Sequence, residues 1–426
     1  MLDIKFIIEN QKKVEEGIDK KGFTNISIAD LISVHKRLTA LITSTQEKRE
    51  EKNRLSNSIK TASNEERPNI IAQSKAIGDQ LKSEEEELLE LQTKFDEIMM
   101  RMPNMPSDDA PVGKDDSQNV VVRKHGDLPK FDFTPLDHIE LMEKNNWGDM
   151  ERVAQVCGSR TYAIKNELSK LELAIHMFVL DKLSEKGFTT ITVPSISKQK
   201  PLYGMGYLPF SGDEIYHMPA DDIYLSGTAE LVLNSLHADE ILSENDLPIM
   251  YAGFSPCFRR EAGASGKDTR GLIRVHQFMK TEQFIICQND IKESEAWHQK
   301  LVAISEEVLQ DLEVPYQVLE VCTGDMGAPK YRQFDLEAWV PSQNCYRETH
   351  SASNITEWQA RRTNLRYRAN SDGKVKFAHT LNNTGIATPR ALVPFIENHQ
   401  QKDGSVRIPA KLQPYMGGKK SIGGSK

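Results

Sequence analysis

Residues able to do chemistry concentrate in four stretches of this 426-residue chain. The first, Ser255 to Glu282, carries Arg259, Arg260, Lys267, Arg270 and Arg274, with carboxylates at Glu261 and Glu282. Tyr251, Phe254 and Phe258 precede its polar centre, and Val275, Phe278, Phe284 and Ile285 follow, so it reads as two strands joined by a long loop. Guanidiniums fixed on a sheet suit a bidentate grip on phosphate or carboxylate. A charged hairpin on a solvated face is the alternative, but a glycine-rich cationic loop between apolar strands favours the anion site. The second stretch, Thr228-Ala229-Glu230, lies at a loop-to-helix start, where backbone N–H groups and a carboxylate meet. The third, Arg347 to Asn354, is a polar run whose Glu348 can hold a divalent cation. The fourth, Thr380 to His399, reads as strand, glycine turn and helix, with Thr388 as N-cap, Pro389 at the first helical position and Arg390 in the first turn. A cation in that turn opposes the helix dipole, so Arg390 implies a bound anion.

Other chemistries fail on spacing. Gly263 to Asp268 is half a P-loop, but Glu261 stands where the first glycine belongs and Asp268 where a magnesium-binding hydroxyl belongs. Gly204 and Gly206 lack the third glycine of a dinucleotide fingerprint. The eleven histidines show no ligand spacing, and His276 and His379 read as structural. Five scattered cysteines without a CxxC pair predict free thiols and a reducing compartment. A net charge of −8 argues against indiscriminate polyanion binding but leaves room for a local basic patch. With no signal-like N-terminal stretch and no apolar run of membrane-spanning length, the expected location is cytoplasmic, with no membrane partner.

The elements that must position these residues differ in kind along the chain. A short helical lead-in ends at Lys21-Gly22, and Ser27 with Asp30 marks a helix start. Leu31, Val34, Leu38, Leu41, Leu55 and Ile59 then recur in steps of three and four, with polar Thr45, Lys48 and Lys52 on the same seam. After Thr61–Pro68 the pattern resumes through Ile70, Ile77, Leu81, Leu88, Leu91, Phe95 and Ile98, which predicts an antiparallel helical hairpin. Each helix would be about 50 Å long, too thin to hide in a domain. Lys48, Arg49, Lys52, Arg54 and Lys60 favour a phosphate-backbone contact over a plain dimerising coiled coil. The acidic run Ser83–Glu87 reads as solvation only. Residues 103–119 have a linker's composition, and beyond them mixed strands and helices predict an antiparallel sheet flanked by helices. The expected organisation is therefore α+β, with a helical arm over 1–102, a linker over 103–119 and a catalytic domain over 120–426. The glycine- and lysine-rich tail from Gly417 reads as disordered.

Taken together these stretches resemble bacterial-type seryl-tRNA synthetases, class II aminoacyl-tRNA synthetases, over nearly the full length. Met1 to Ile7 is similar to the family's opening, and the hairpin to the arm that grips the long variable arm of serine tRNA. Thr190–Pro194 with Leu202–Pro209 resembles motif 1, which implies a homodimer. Phe258–Glu261 with Thr269–Phe278 resembles motif 2, and Gly385–Arg390 resembles motif 3. The resemblance implies ATP and magnesium as cofactors and ATP-driven loading of serine onto its tRNA. Selenocysteine tRNA is a second expected substrate in organisms that use it. Arg259 would hold the α-phosphate and the serine carboxylate, Glu261 face the adenine amino group, and Phe278 stack on adenine. Arg390 would clamp the far phosphate, and Glu348 and Ser351 hold magnesium. Arg260, Val275, Thr349 and His350 complete the implied ATP contacts. Thr228, Ala229, Glu230, Glu282, Asn382 and Thr384 would surround serine. Arg270 would join Lys48, Arg49, Lys52 and Arg54 in tRNA binding, and the loop 263–270 would order only with ATP or tRNA. Pro389 replaces a glycine common before the motif 3 arginine, Thr384 replaces a serine, and His350 is unusual in its run. The competing readings are a carrier-protein-loading ligase, which would lack the arm, and an inactive paralogue, which would have lost Arg259, Glu348 or Arg390.

Overall fold

The computed structural model describes residues 1–263, 268 and 270–424. The segment 264–267 and Thr269, for which ligand-dependent order is expected, lie outside the described residues. The chain divides into two compact units. One comprises Leu2–Asp19 and Phe23–Met102, and the other Met1, Lys20–Gly22 and Pro103 onward.

In the first unit Ile28–Ser58 (α1) pairs with Arg67–Met100 (α2). Ser27 caps α1, accepting the Asp30 N–H at 3.1 Å. The heptad positions Leu31, Val34, Leu38, Leu41 and Thr45 are buried, and beyond them the seam thins to half-buried Lys48, Lys52 and Leu55. The acidic run does more than solvate the arm. Glu84, Glu85 and Glu87 pair across the hairpin with Lys48 at 2.6 Å, Arg49 at 2.7 Å and Arg37 at 2.7 Å. The Lys48 and Arg49 pairs lie where the apolar seam thins, so charge helps set the register there.

The second unit is built on an eight-stranded sheet. Its strands are Val120–His125 (β1), Thr189–Thr192 (β2), Ile249–Phe258 (β3), Gln277–Cys287 (β4), Tyr316–Glu320 (β5), Arg332–Val340 (β6), Cys345–Thr356 (β7) and His379–Thr388 (β8). Their order is β1-β5-β6-β7-β8-β4-β3-β2, antiparallel except for the β2–β3 pair at one edge. Pro194 closes that edge strand, where a missing N–H costs least. Asn166–Glu185 (α3), Ile291–Asp311 (α5) and Leu392–His399 (α7) cover one face. They bury Leu171, Ile175, Leu301, Val308 and Phe395 against Ile285, Leu336 and Leu381. The other face, beside Glu230–Leu236 (α4) and Trp358–Thr363 (α6), carries polar residues and the cavity described below.

Three local expectations change. Residues 103–119 have a linker's composition, yet Pro103, Asn104, Pro106, Ser107 and Ala110 are buried. The Thr323 and Gly324 N–H groups reach back to the Pro111 and Gly113 carbonyls at 2.8 and 3.0 Å. The tail is ordered as far as it is described: Ser421–Ile422 pairs with Val406–Arg407, and Ile422 is buried. The polar run from Arg347 is a strand, because its alternate residues His350, Ala352 and Asn354 are buried against the core while Ser351 and Ser353 turn away.

Candidate active site

Strand alternation assembles the site. On β4, Phe278, Lys280 and Glu282 are two apart, so all three face one side. Thr384 on β8 stands directly across from Glu282, and Ser353 on β7 across from Asn382. Asp335 on β6 stands across from Ser351. Glu348 is three residues from Ser351 and would point away on a regular strand. The ladder slips between Leu336 and Glu337, so Thr349 is an extra residue and Glu348 returns to the site face. Lys280, Glu282, Asp335, Glu348, Ser351, Ser353, Asn382 and Thr384 line a cavity of about 680 Å³, together with Thr228, Glu230, Arg259, Glu261, Arg274, Gln333, Gln359 and Arg390. A smaller annex of about 70 Å³ adds Val275, Phe278 and Thr349.

The inner end holds acids. Gly253 lies opposite Glu282 on β3, and a Cβ there would come within 2.8 Å of the Leu233 side chain. Its bare backbone lets α4 settle on the sheet and brings Thr228 Oγ1 to donate to Glu282 at 3.0 Å. Lys280 Nζ contacts the Glu282 carboxylate and donates to Thr228 Oγ1 at 3.2 Å. Glu230 accepts from Gln359 Nε2 at 2.8 Å and from the Asn382 amide. Burial pushes Glu282 up to about 7, and the charge of Glu230 adds to burial against the pull of Lys280. Burial raises Glu230 as well. Lys280 contacts Glu282, while Glu230 has only amide donors, so the chamber suits a further cation.

The outer end holds cations. Arg259 lies 5.2 Å over the Phe278 ring, and its buried Nε has no hydrogen-bond partner among the described residues. Arg390 Nε donates to the Ile273 carbonyl at 3.0 Å and Nη1 to the Glu348 carbonyl at 3.3 Å, which aims its guanidinium past Glu348. Burial lowers the Arg390 pKa. Arg274 holds the Glu261 carboxylate at 2.5 Å. An anion is the missing partner at this end.

Several expected residues stand elsewhere. Arg390 is not in a helix's first turn: β8 runs unbroken to Thr388, and α7 starts only at Leu392. The dipole argument therefore falls, and the arginine enters the cavity from the turn between them. Gly385 makes no turn either, since it is the extra residue of a second bulge between Thr384 and Ile386. That bulge accounts for His350, whose buried Nε2 donates to the Gly385 carbonyl at 3.0 Å on the sheet's other side. Burial lowers His350 to about 4, so it stays neutral. Ala229 packs into the core beside Leu233, Arg260 is exposed, and Arg270 is exposed away from the cavity. Lys280, Gln333, Asp335 and Gln359 were not expected. Lys280 was readable from its alternation with Phe278 and Glu282. The other three come from strands and a helix whose approach no local pattern announces.

Residues 1–106 match the profile of the seryl-tRNA synthetase N-terminal domain, and 216–399 that of the tRNA synthetase class II core domain (G, H, P, S and T). A serine–tRNA ligase of Deinococcus radiodurans is 47% identical over 99% of both chains. The chain belongs to the seryl-tRNA synthetase family. A family member from Thermococcus onnurineus is 41% identical over 99% of this chain and 97% of its own. The crystal structure of the Pyrococcus horikoshii seryl-tRNA synthetase complexed with ATP covers both chains fully, with a TM-score of 0.92 at 38% identity. The cytoplasmic serine–tRNA ligase of Naegleria fowleri in complex with AMP gives 0.89 at 31% identity over 100% of this chain and 99% of that one.

Proposed function

We propose that this chain is a serine–tRNA ligase that activates serine with ATP and transfers it to the 3′ end of serine tRNA. One observation carries the reading: a chamber short of a cation opens onto a rim short of an anion, and an amino acid meeting a nucleotide triphosphate supplies both. Thr228, Glu230 and Glu282 receive the serine ammonium and hydroxyl, with Thr384 and Asn382 closing the chamber. Arg259 spans the serine carboxylate and the α-phosphate, with adenine against Phe278. Arg390 takes the far phosphate.

The serine carboxylate oxygen attacks the α-phosphorus, the bond to the bridging β-phosphate oxygen breaks, and pyrophosphate leaves. The terminal ribose hydroxyl of the tRNA then attacks the adenylate carbonyl and releases AMP. No side chain need act as the base for the first step, because the carboxylate is already ionised; positioning and charge stabilisation suffice. Glu348 and Ser351, with Asp335 opposite, present an oxygen-only donor set on one face, which fits a hard cation. Glu348 and Ser351 would hold a magnesium ion, whose charge offsets that of the phosphates.

The arm's Lys48, Arg49, Lys52 and Arg54, and Arg270, contact the tRNA backbone. The enzyme works in the cytoplasm and as a homodimer; the dimer is supported by the resemblance to motif 1 and by Leu173 and Met177, exposed one turn apart on α3. Among the described residues no helix is long and apolar enough to cross a membrane. ATP–pyrophosphate exchange measured with each amino acid tests the reading. Serine alone is expected to drive exchange, and exchange driven by threonine or alanine instead would overturn it.

A further inference from the structure

Lys21 is a buried lysine, 3% exposed, far in sequence from the site. Its Nζ donates to three carbonyls of one loop, Gly327 at 3.1 Å, Ala328 at 3.2 Å and Lys330 at 2.5 Å. An ammonium has three protons, so this cage uses all of them. The same loop is held from a second side by buried Asn104. Its N–H donates to the Ala328 carbonyl at 2.8 Å, and its Nδ2 to the Pro329 carbonyl at 2.9 Å. Gly327, Ala328, Pro329 and Lys330 all wall the cavity.

The loop leads on to the phosphate end. Lys330 Nζ donates to Gln333 Oε1 at 2.8 Å. Gln333 Nε2 donates in turn to Asp335 Oδ1 at 2.8 Å and Ser351 Oγ at 3.1 Å. The serine chamber is braced separately, through Gln359 and Thr380 at 2.8 Å. We propose that Lys21 is a positioning residue for the phosphate end of the active site, acting through the 327–330 loop, Lys330 and Gln333 on Ser351 and Asp335. A lysine without a carboxylate partner among its hydrogen bonds is costly to bury, and carbonyls fixed in one orientation are what that cost maintains. The inference rests on the ligase reading above.

The test uses the full-length protein with Lys21→Met and, as a second route to the same loop, Asn104→Ala. Lys21→Met is expected to raise the ATP KM in pyrophosphate exchange, and the calorimetric ATP dissociation constant, by roughly tenfold. It should also raise the half-saturating magnesium concentration and leave the serine KM unchanged. In a Gln333→Leu background its effect on ATP should largely disappear, because the route is already cut. Equal rises in the serine and ATP KM values, or no change in ATP binding by a folded variant, would overturn the proposal. If Lys21→Met does not fold, the same split read from Asn104→Ala decides. Failure of the ligase reading is distinguishable, because the unmodified protein would then show no serine-dependent exchange.

Discussion

Glu282 shows how a side chain can be costly to the fold and useful to the site. The folded protein holds its proton more tightly than the unfolded chain does, with about 7 against an ordinary 4.5. Folding therefore takes up a proton in that window, and stability falls as pH rises from the ordinary carboxyl value through about 7. Glu282→Gln lacks this loss. Relative to the parent it should gain on the order of 2–3 kcal/mol between pH 4.5 and 8, read by urea denaturation at both pH values. A difference that stays constant with pH would mean the carboxyl titrates normally. In the proposed reading alanine brings no hydroxyl to Glu282 and Thr384, so activation kinetics should favour serine by on the order of 10⁴-fold in kcat/KM. Arg390→Ala should lower kcat for exchange by roughly 10²-fold while sparing the serine KM. The type of residue was legible here in advance. The orientation of Arg390 was not, because a proline that suits a helix start also suits the turn before one.

Two elements do work that their residues alone do not reveal. The bulge at Thr349 turns Glu348 onto the site face. Deleting this extra residue would place Glu348 two positions from Ser351 in a regular ladder, so Glu348 should stay on the site face and ATP binding should keep its magnesium dependence, measured by calorimetry with and without the ion; loss of that dependence would show that the slip does not set the orientation of Glu348. On the arm, Lys48 and Glu84 are each about a quarter exposed, so water screens the pair and its contribution to stability is small. A Lys48→Glu/Glu84→Lys swap should recover the melting temperature lost by Lys48→Glu alone. It should not recover tRNA affinity if Lys48 meets the phosphate backbone. Recovery of both would show that the lysine serves the arm and not the tRNA. The hairpin itself was readable because heptad spacing is a local signal. The cross-helix pairing was not, since spacing within one helix does not say which acid faces which base.

At the scale of the molecule, the proposed function predicts that activation draws on the unit holding the cavity and that tRNA charging needs the arm as well. The chemistry needs only residues beyond Pro103, together with Lys21 as inferred above. Replacing residues 31–98 by a short turn should therefore leave serine-dependent pyrophosphate exchange close to that of the full chain and abolish tRNA charging. Charging that survives the deletion would refute the role given to the arm. Stability should track the same division, with an exchange-competent unit melting as one cooperative transition.

The sequence by itself determined the helical hairpin, the antiparallel sheet and most of the residue types of the site. Heptads, alternation and turn residues are local signals, and the cationic and acidic side chains declare their charge wherever they sit. Only the tertiary structure decided which of them meet. Thr228 meets Glu282 because a glycine lets a helix approach the sheet. Glu348 joins Ser351 because a ladder slips by one residue. Lys21 reaches the 327–330 loop from more than 300 positions away. Contacts of that separation depend on how elements pack, which no window of sequence contains.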